Sequence, residues 1–178
     1  MYPGNSPGKS YARMVAYSYA LKKLGKRRFN TMKHIVIASV ECGDIRYLVE
    51  HGVPPKNIIA CDVDWSARSS ASMWDVIVSN SSSIEDTVLE YQNNIATVNV
   101  DLCAALTKGG SVLGNVLDNR PPGSIVFYTY FRARDGMYSQ EQRTSYLTRI
   151  AGKKPVRQLQ YQSSTYNSGG SPMCMAIL

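Results

Sequence analysis

The chain has 178 residues, 44% of them hydrophobic, with 20 Lys or Arg against 13 Asp or Glu. That length suits one domain, with a core large enough to stand without a metal or disulfide staple. No apolar run approaches the ~20 residues of a membrane span, no charged stretch leads into a secretory signal, and four cysteines without a CxxC pair beside two distant histidines argue against a zinc site.

The net charge of +7 is unevenly spread. Residues 1–33 hold eight cations and no acid, residues 34–123 hold eleven acids and five cations, and residues 124–178 hold seven cations and two acids. An acidic middle between basic ends fits a site for a cationic or hydroxyl-rich small molecule, with basic surface nearby for a polyanion. The plain alternative for any one Lys or Arg is a solvated surface. Three of the cysteines sit in or beside apolar runs and read as reduced, buried thiols, which gives the expectation of a cytoplasmic protein.

Residues 1–9, with two Pro-Gly pairs, read as a flexible leader, and residues 10–178 as a single domain. Met14, Tyr17, Leu21 and Leu24 recur at helical spacing and predict an amphipathic helix over 10–24 stopped by Gly25, within a basic N-terminal segment that extends to residue 28. Its Lys22 to Arg28 run could touch nucleic-acid phosphates or be a solvated helix end. An apolar run from His34 to Val40 then breaks at Glu41-Cys42-Gly43-Asp44 and passes into a helix carrying Ile45, Leu48 and Val49. The chain turns at residues 52–55 and re-enters an apolar run, 58–61, that ends in Asp62-Val63-Asp64. This is one βαβ unit. Gly43 permits the tight turn, and an acid nineteen positions later can take the two hydroxyls of a ribose, so the unit reads as a nucleoside-cofactor half-site.

Residues 65–73 read as a short helix and 75–79 as a third buried strand ending at Asn80 and a serine run. Ser83 with Asp86 three positions on makes a helix start. Residues 95–100 form a fourth strand running into Asp101-Leu102-Cys103, and 104–119 a helix interrupted at Gly109-Gly110. Residues 124–131 are the clearest strand, rich in aromatic and β-branched side chains. A loop with Arg132 and Arg134 and a helix over 139–151 follow, then two strands, 156–163 and 172–178, whose short connection makes them an antiparallel hairpin. The expected fold is therefore α/β: a Rossmann-like three-layer sandwich around a mostly parallel seven-stranded sheet with a C-terminal antiparallel β-hairpin.

Each candidate residue has a plainer reading beside the functional one. Asp62 reads as the ribose ligand; the alternative is an N-cap for the helix from Trp65, which Asp64 would fill better. Asp44 could cap the helix from Ile45. Asp101 could accept a proton or orient an amine, or simply end a buried strand. Cys103 has no evident basic partner and could be a small buried hydrophobe. Arg132 and Arg134 could hold phosphates or be solvated.

Five strands alternating with helices before a terminal hairpin, with an acid after the second strand and another at the end of the fourth, resemble the class I S-adenosylmethionine-dependent methyltransferase fold over residues 34–178. The resemblance implies S-adenosylmethionine as cofactor. It places Glu41, Gly43 and Asp44 at its methionine part, Asp62 at the ribose, and Asn80 with Ser81 at the adenine. Asp101, Leu102 and Cys103 would face the transferred methyl, with Asp101 and Cys103 as the catalytic pair, and Arg132 and Arg134 fall where the fold admits substrate. The chain keeps only Gly43 of the glycine-rich first motif. Asp101-Leu-Cys-Ala104 stands where base-amino methyltransferases carry Asp/Asn-Pro-Pro-aromatic, and Leu102-Cys103 only partly resembles the Pro-Cys of cytosine-C5 enzymes. Two readings follow: a methyltransferase acting on nucleic acid or a nucleic-acid-associated target, or a catalytically inactive domain of this kind serving as a nucleic-acid-binding or assembly module. A nicotinamide-dinucleotide enzyme is disfavoured without GxGxxG. The expected partner is nucleic acid, through the basic helix and the Arg132/Arg134 loop, with no membrane and no metal; a homo-oligomer is left open. Small size without a recognition domain resembles methyltransferase-like proteins of viral and phage genomes.

Overall fold

The computed structural model describes residues 6–131, 139–162 and 172–178, with only the backbone at Cys103 and Pro172. Seven strands make one sheet: β1 (Lys33–Ile37), β2 (Ile58–Cys61), β3 (Ile77–Val78), β4 (Ile95–Ala105), β5 (Ile125–Phe131), β6 (Arg157–Gln162) and β7 (Pro172–Ile177). Their order is β3-β2-β1-β4-β5-β7-β6; β7 runs antiparallel to both neighbours and the other pairs are parallel. The mostly parallel sheet and its terminal hairpin match the order of apolar runs in the sequence.

Strand residues alternate between two cores, which is why the central strands read as continuous apolar runs. Val36, Ala60, Phe127 and Met175 face one layer with α1 (Pro7–Leu24), α3 (Gly43–Glu50) and α4 (Trp65–Ser72). Ile35, Ile59, Val126 and Tyr128 face the other, with α5 (Ile84–Glu90), α6 (Gly110–Asn119) and α7 (Gln140–Ala151). The helix start at Ser83 is a side-chain cap as its spacing suggests, and Ser139 caps α7 within a full capping box.

The N-terminal region departs from expectation. α1 begins at Pro7, inside the presumed leader, because Ser6 accepts a hydrogen bond from the Lys9 amide at 3.3 Å and proline suits the first helical turn. Its buried face is Ala12, Ala16, Tyr17 and Ala20 with Lys9 and Arg13, whereas Met14 is 46% exposed. Alanines let the helix lie close to its neighbours, and that closeness outweighs the larger apolar side chains one position away. Gly25, at φ 77°, ends α1 where the sequence places its stop, and the basic segment to residue 28 lies in a separate short helix, α2 (Lys26–Thr31), that leads into β1. β3 is also shorter than expected, two residues instead of five, since Asp75 turns into the left-handed region at φ 56° just before it.

His34 on β1 is fully buried. Its Nε2 donates to the Phe29 carbonyl at 2.7 Å and its Nδ1 accepts from the Thr97 hydroxyl at 2.8 Å, a pattern that fixes the neutral ring. Burial holds its pKa down at about 4. The unfolded chain therefore binds a proton that the folded chain refuses. Stability from this group is complete above pH ~6.5 and is lost as pH falls towards 4, by roughly 3 kcal/mol in all. Urea midpoints from pH 7.5 to 4, compared with those of His34→Gln, check this. The parent should lose stability more steeply through that window, and parallel curves would refute the assignment.

Candidate functional site

Between β1 and β4 the chain's path through the sheet reverses, and in such sheets ligands bind beyond the carboxyl ends of the strands at that point. A cleft of about 320 Å³ lies there, lined by Ile37 from β1, Asp62 and Val63 after β2, residues 82–85 after β3, and Asp101 and Leu102 on β4. Three of its lining side chains are carboxylates, Asp62, Glu85 and Asp101, and none is a cation.

Two acids near the end of β2 divide the work. Asp64 caps α4, its Oδ1 accepting from the Ser66 amide at 2.8 Å and the Ser66 hydroxyl at 2.7 Å, and those bonds hold its carboxyl below the usual range. Asp62 stays on the cleft wall with Oδ1 bound to the Asp64 amide at 2.7 Å; partial burial, with the Asp64 charge added, pushes its carboxyl up.

The serine run after β3 is a hydrogen-bond relay. The Ser79 hydroxyl accepts from Thr87 Oγ1 at 3.0 Å and the Ser81 amide at 3.1 Å, while Ser81 Oγ accepts from the Ser83 amide at 3.2 Å. This turns Ser82, Ser83 and Glu85 towards the cleft, whose lining includes neither Asn80 nor Ser81. Asn80 is exposed and the Ser81 hydroxyl is used within the loop. The cleft is thus lined by later members of the loop than the two expected at the adenine.

At the end of β4, Asp101 pairs with Thr129 and Ala104 with the next residue, Tyr130, so Leu102 and Cys103 form a two-residue bulge. Bulges re-aim side chains. Leu102 lines the cleft; the Cys103 side chain lies outside what the structure describes, as do Arg132 and Arg134.

The turn after β1 is arranged differently from expectation. Arg13 of α1 pairs with Asp44, Nε to Oδ1 at 3.2 Å and Nη2 to Oδ2 at 3.3 Å, and Asn99 Nδ2 donates to Asp44 Oδ1 at 2.9 Å. Burial alone would lower the guanidinium's pKa, but the Asp44 charge raises it on balance. Lys9, one helical turn earlier, reaches Asp101 Oδ2 at 3.0 Å. Gly43 lacks a Cβ where the Arg13 guanidinium lies, so its smallness admits that side chain. The space among Lys9, Arg13, Asp44, Asn99 and Asp101 is only about 10 Å³. Asp44 is thus neither a cap nor a lining residue of the larger cleft, and Glu41 and Gly43 do not line it either. Cys42, the actual N-cap, adopts φ 49°, a left-handed conformation that costs a non-glycine residue roughly 1 kcal/mol and that a second glycine would take freely. Sequence reading missed Lys9 and Arg13; the signal was their four-residue spacing in register with Ala12, Ala16 and Ala20.

No family profile and no curated protein matches the sequence. Solved structures do. Magnesium protoporphyrin IX methyltransferase of Synechocystis PCC 6803, with S-adenosylmethionine bound, superposes with a TM-score of 0.61 at 9% identity, over 95% of this chain and 80% of that one. The N-methyltransferase NodS of Bradyrhizobium japonicum WM9 gives 0.58 at 12% identity, over 98% and 97%. The chain has the class I S-adenosylmethionine-dependent methyltransferase fold. A precorrin 8w decarboxylase of Methanobacterium thermoautotrophicum shares this fold with the chain at a TM-score of 0.61 and 12% identity, over 99% and 92%. The methyltransferase fold by itself therefore leaves the reaction to be argued from the site.

Arg13 and Asp44 test how far α1 is part of that fold. Their side chains are only 8% and 16% exposed. Arg13→Met should destabilise the chain by roughly 3 kcal/mol, since it strands a mostly buried carboxylate, and adding Asp44→Asn should restore much of that. A double-mutant cycle by urea denaturation measures it; additive losses would mean the two side chains do not interact.

Proposed function

We propose that the chain is an S-adenosylmethionine-dependent methyltransferase acting on a nucleic-acid-associated target. The observation that carries the reading is the position of Asp62: a carboxylate at the tip of β2, on the wall of a switch-point cleft, with the neighbouring acid already spent on capping. The cofactor's chemistry fits the donors present. A ribose offers vicinal hydroxyls to Asp62, the serine wall of Ser82 and Ser83 offers polar contacts, and Ile37, Val63 and Ile84 offer apolar ones. A sulfonium cation is favoured beside Asp101 and Glu85, in a cleft that no cation lines.

When bound, the cofactor supplies an electrophilic methyl group. The chain's part is positioning and exclusion of water, which account for most of the effect such a transfer needs. Leu102 on the bulge gives the cleft an apolar wall, and Asp101, held by Lys9, is placed to orient an acceptor amine or take its proton. Asp62 and Glu85 repel phosphodiesters, the third acid, Asp101, being paired with Lys9, which favours a cationic target associated with nucleic acid over the nucleic acid itself.

Isothermal titration with S-adenosylmethionine and its demethylated product tests the reading. Binding should weaken at least tenfold in Asp62→Ala, with Tm kept within about 2 °C of the parent because the residue is only half-buried. No heat at millimolar ligand with folded protein would remove the cofactor assignment and leave a binding or assembly module on this fold.

A further inference from the structure

In a parallel sheet every helix-to-strand connection lies on the rim opposite the cleft. On that rim the connections entering β1 and β6 hold the cations. The connection to β1 carries Lys22, Lys23, Lys26, Arg27 and Arg28, all exposed and without an intervening acid. The connection to β6 carries Lys153 and Lys154, with Arg157 as the strand's first residue, again all exposed and acid-free. The other connections carry no basic run: Glu50 and Lys56 precede β2, Asp75 precedes β3, Glu90 precedes β4, and Asp118 and Arg120 precede β5.

β1 and β6 are four strand spacings apart, about 19 Å, and α1 reaches across that interval, its start on β6 and Tyr17 against His34 of β1. Gly8 lies against Tyr161 and Gln162, at the carboxyl end of β6, and α1 packs on that strand. From Gly8 to Lys22 the helix rises about 21 Å, a little more than the ~16 Å length of β6, so Lys22 and Lys23 come level with Arg157. After Gly25, α2 carries Lys26, Arg27 and Arg28 back towards β1. The result is a basic stripe about 20 Å long on the face of the molecule remote from Asp62, Glu85 and Asp101.

We propose that this rim is a docking surface for the phosphate backbone of nucleic acid, separate from the cleft and read without sequence preference. A stripe of that length spans about six base-pair steps, and eight cations along it complement a phosphate track. A membrane fits less well. Surface helices that enter lipid present apolar side chains beside their cations. The large apolar side chains exposed towards this rim, Met73, Leu89 and Val156, precede β3, β4 and β6, no two of which are neighbours in the sheet. The chain would thus hold nucleic acid on one rim and open its cleft on the other.

Fluorescence anisotropy of the full chain with a labelled 20-base-pair DNA duplex and a 20-nucleotide single-stranded RNA tests this. Affinity should fall steeply with salt, with a log–log slope of about −4 for the duplex. Lys26→Glu/Arg27→Glu/Arg28→Glu should weaken binding at least tenfold and flatten that slope, and Lys153→Gln/Lys154→Gln, a milder change, should weaken it severalfold. Tm and the heat of S-adenosylmethionine titration should be unchanged in both. Unaltered nucleic-acid binding in these variants, its loss in Arg132→Ala/Arg134→Ala instead, or binding to phosphatidylserine vesicles without binding to either nucleic acid would overturn the proposal. Because cofactor heat and nucleic-acid affinity are read separately, failure here leaves the methyltransferase reading standing, and the reverse.

Discussion

A parallel sheet has two unlike rims, and the polarity of its strands decides which part of the sequence reaches each. Segments leaving strands meet at one rim, where helix N-termini and strand carboxyl ends converge; segments entering strands meet at the other. In this chain the first set supplies Asp44, Asp62, Asp64, Glu85 and Asp101, and the second supplies the runs from Lys22 to Arg28 and from Lys153 to Arg157. The charge asymmetry of the linear sequence becomes a division between opposite faces. A cationic or hydroxyl-bearing ligand and a polyanion then have separate places to bind.

α1 carries cations at both rims. Its last turn belongs to the basic side, while Lys9 and Arg13 near its start reach two of the acids on the cleft side. Each pair satisfies charges that burial would otherwise make costly. Arg13 also occupies the space that Gly43 opens, so the glycine serves helix packing in this structure. The cleft that remains is defined by β2, the serine loop and the β4 bulge. A ligand there would be gripped chiefly on its ribose side, and the turn after β1 would be sealed by the chain's own first helix.

Much of the fold was legible in the sequence. Alternation of apolar runs with helical spacing, a terminal hairpin with too short a connection for a crossover, and the cap at Ser83 are local signals, and local signals survive in one dimension. The site was legible in part. Asp62 could be separated from Asp64 because capping geometry favours the residue nearer the helix. The displacement from Asn80 and Ser81 to Ser82, Ser83 and Glu85 was not legible, since it depends on which hydroxyls the loop uses internally. The offset of α1's buried face was hidden for a related reason: hydrophobic spacing favoured Met14, but close approach favoured the alanines.

Sequence alone determined the order of elements, the βαβ unit ending at Asp62, and the basic character of the chain's ends, because each follows from residues near one another along the backbone. Tertiary structure decided the partners. Lys9 meets Asp101 across 92 positions and Arg13 meets Asp44 across 31. Such encounters depend on which face a helix presents after the sheet has formed, and side-chain charge carries no record of that distance. The same holds for the two basic runs, separated by more than a hundred residues in the chain and placed on one rim because β1 and β6 point the same way.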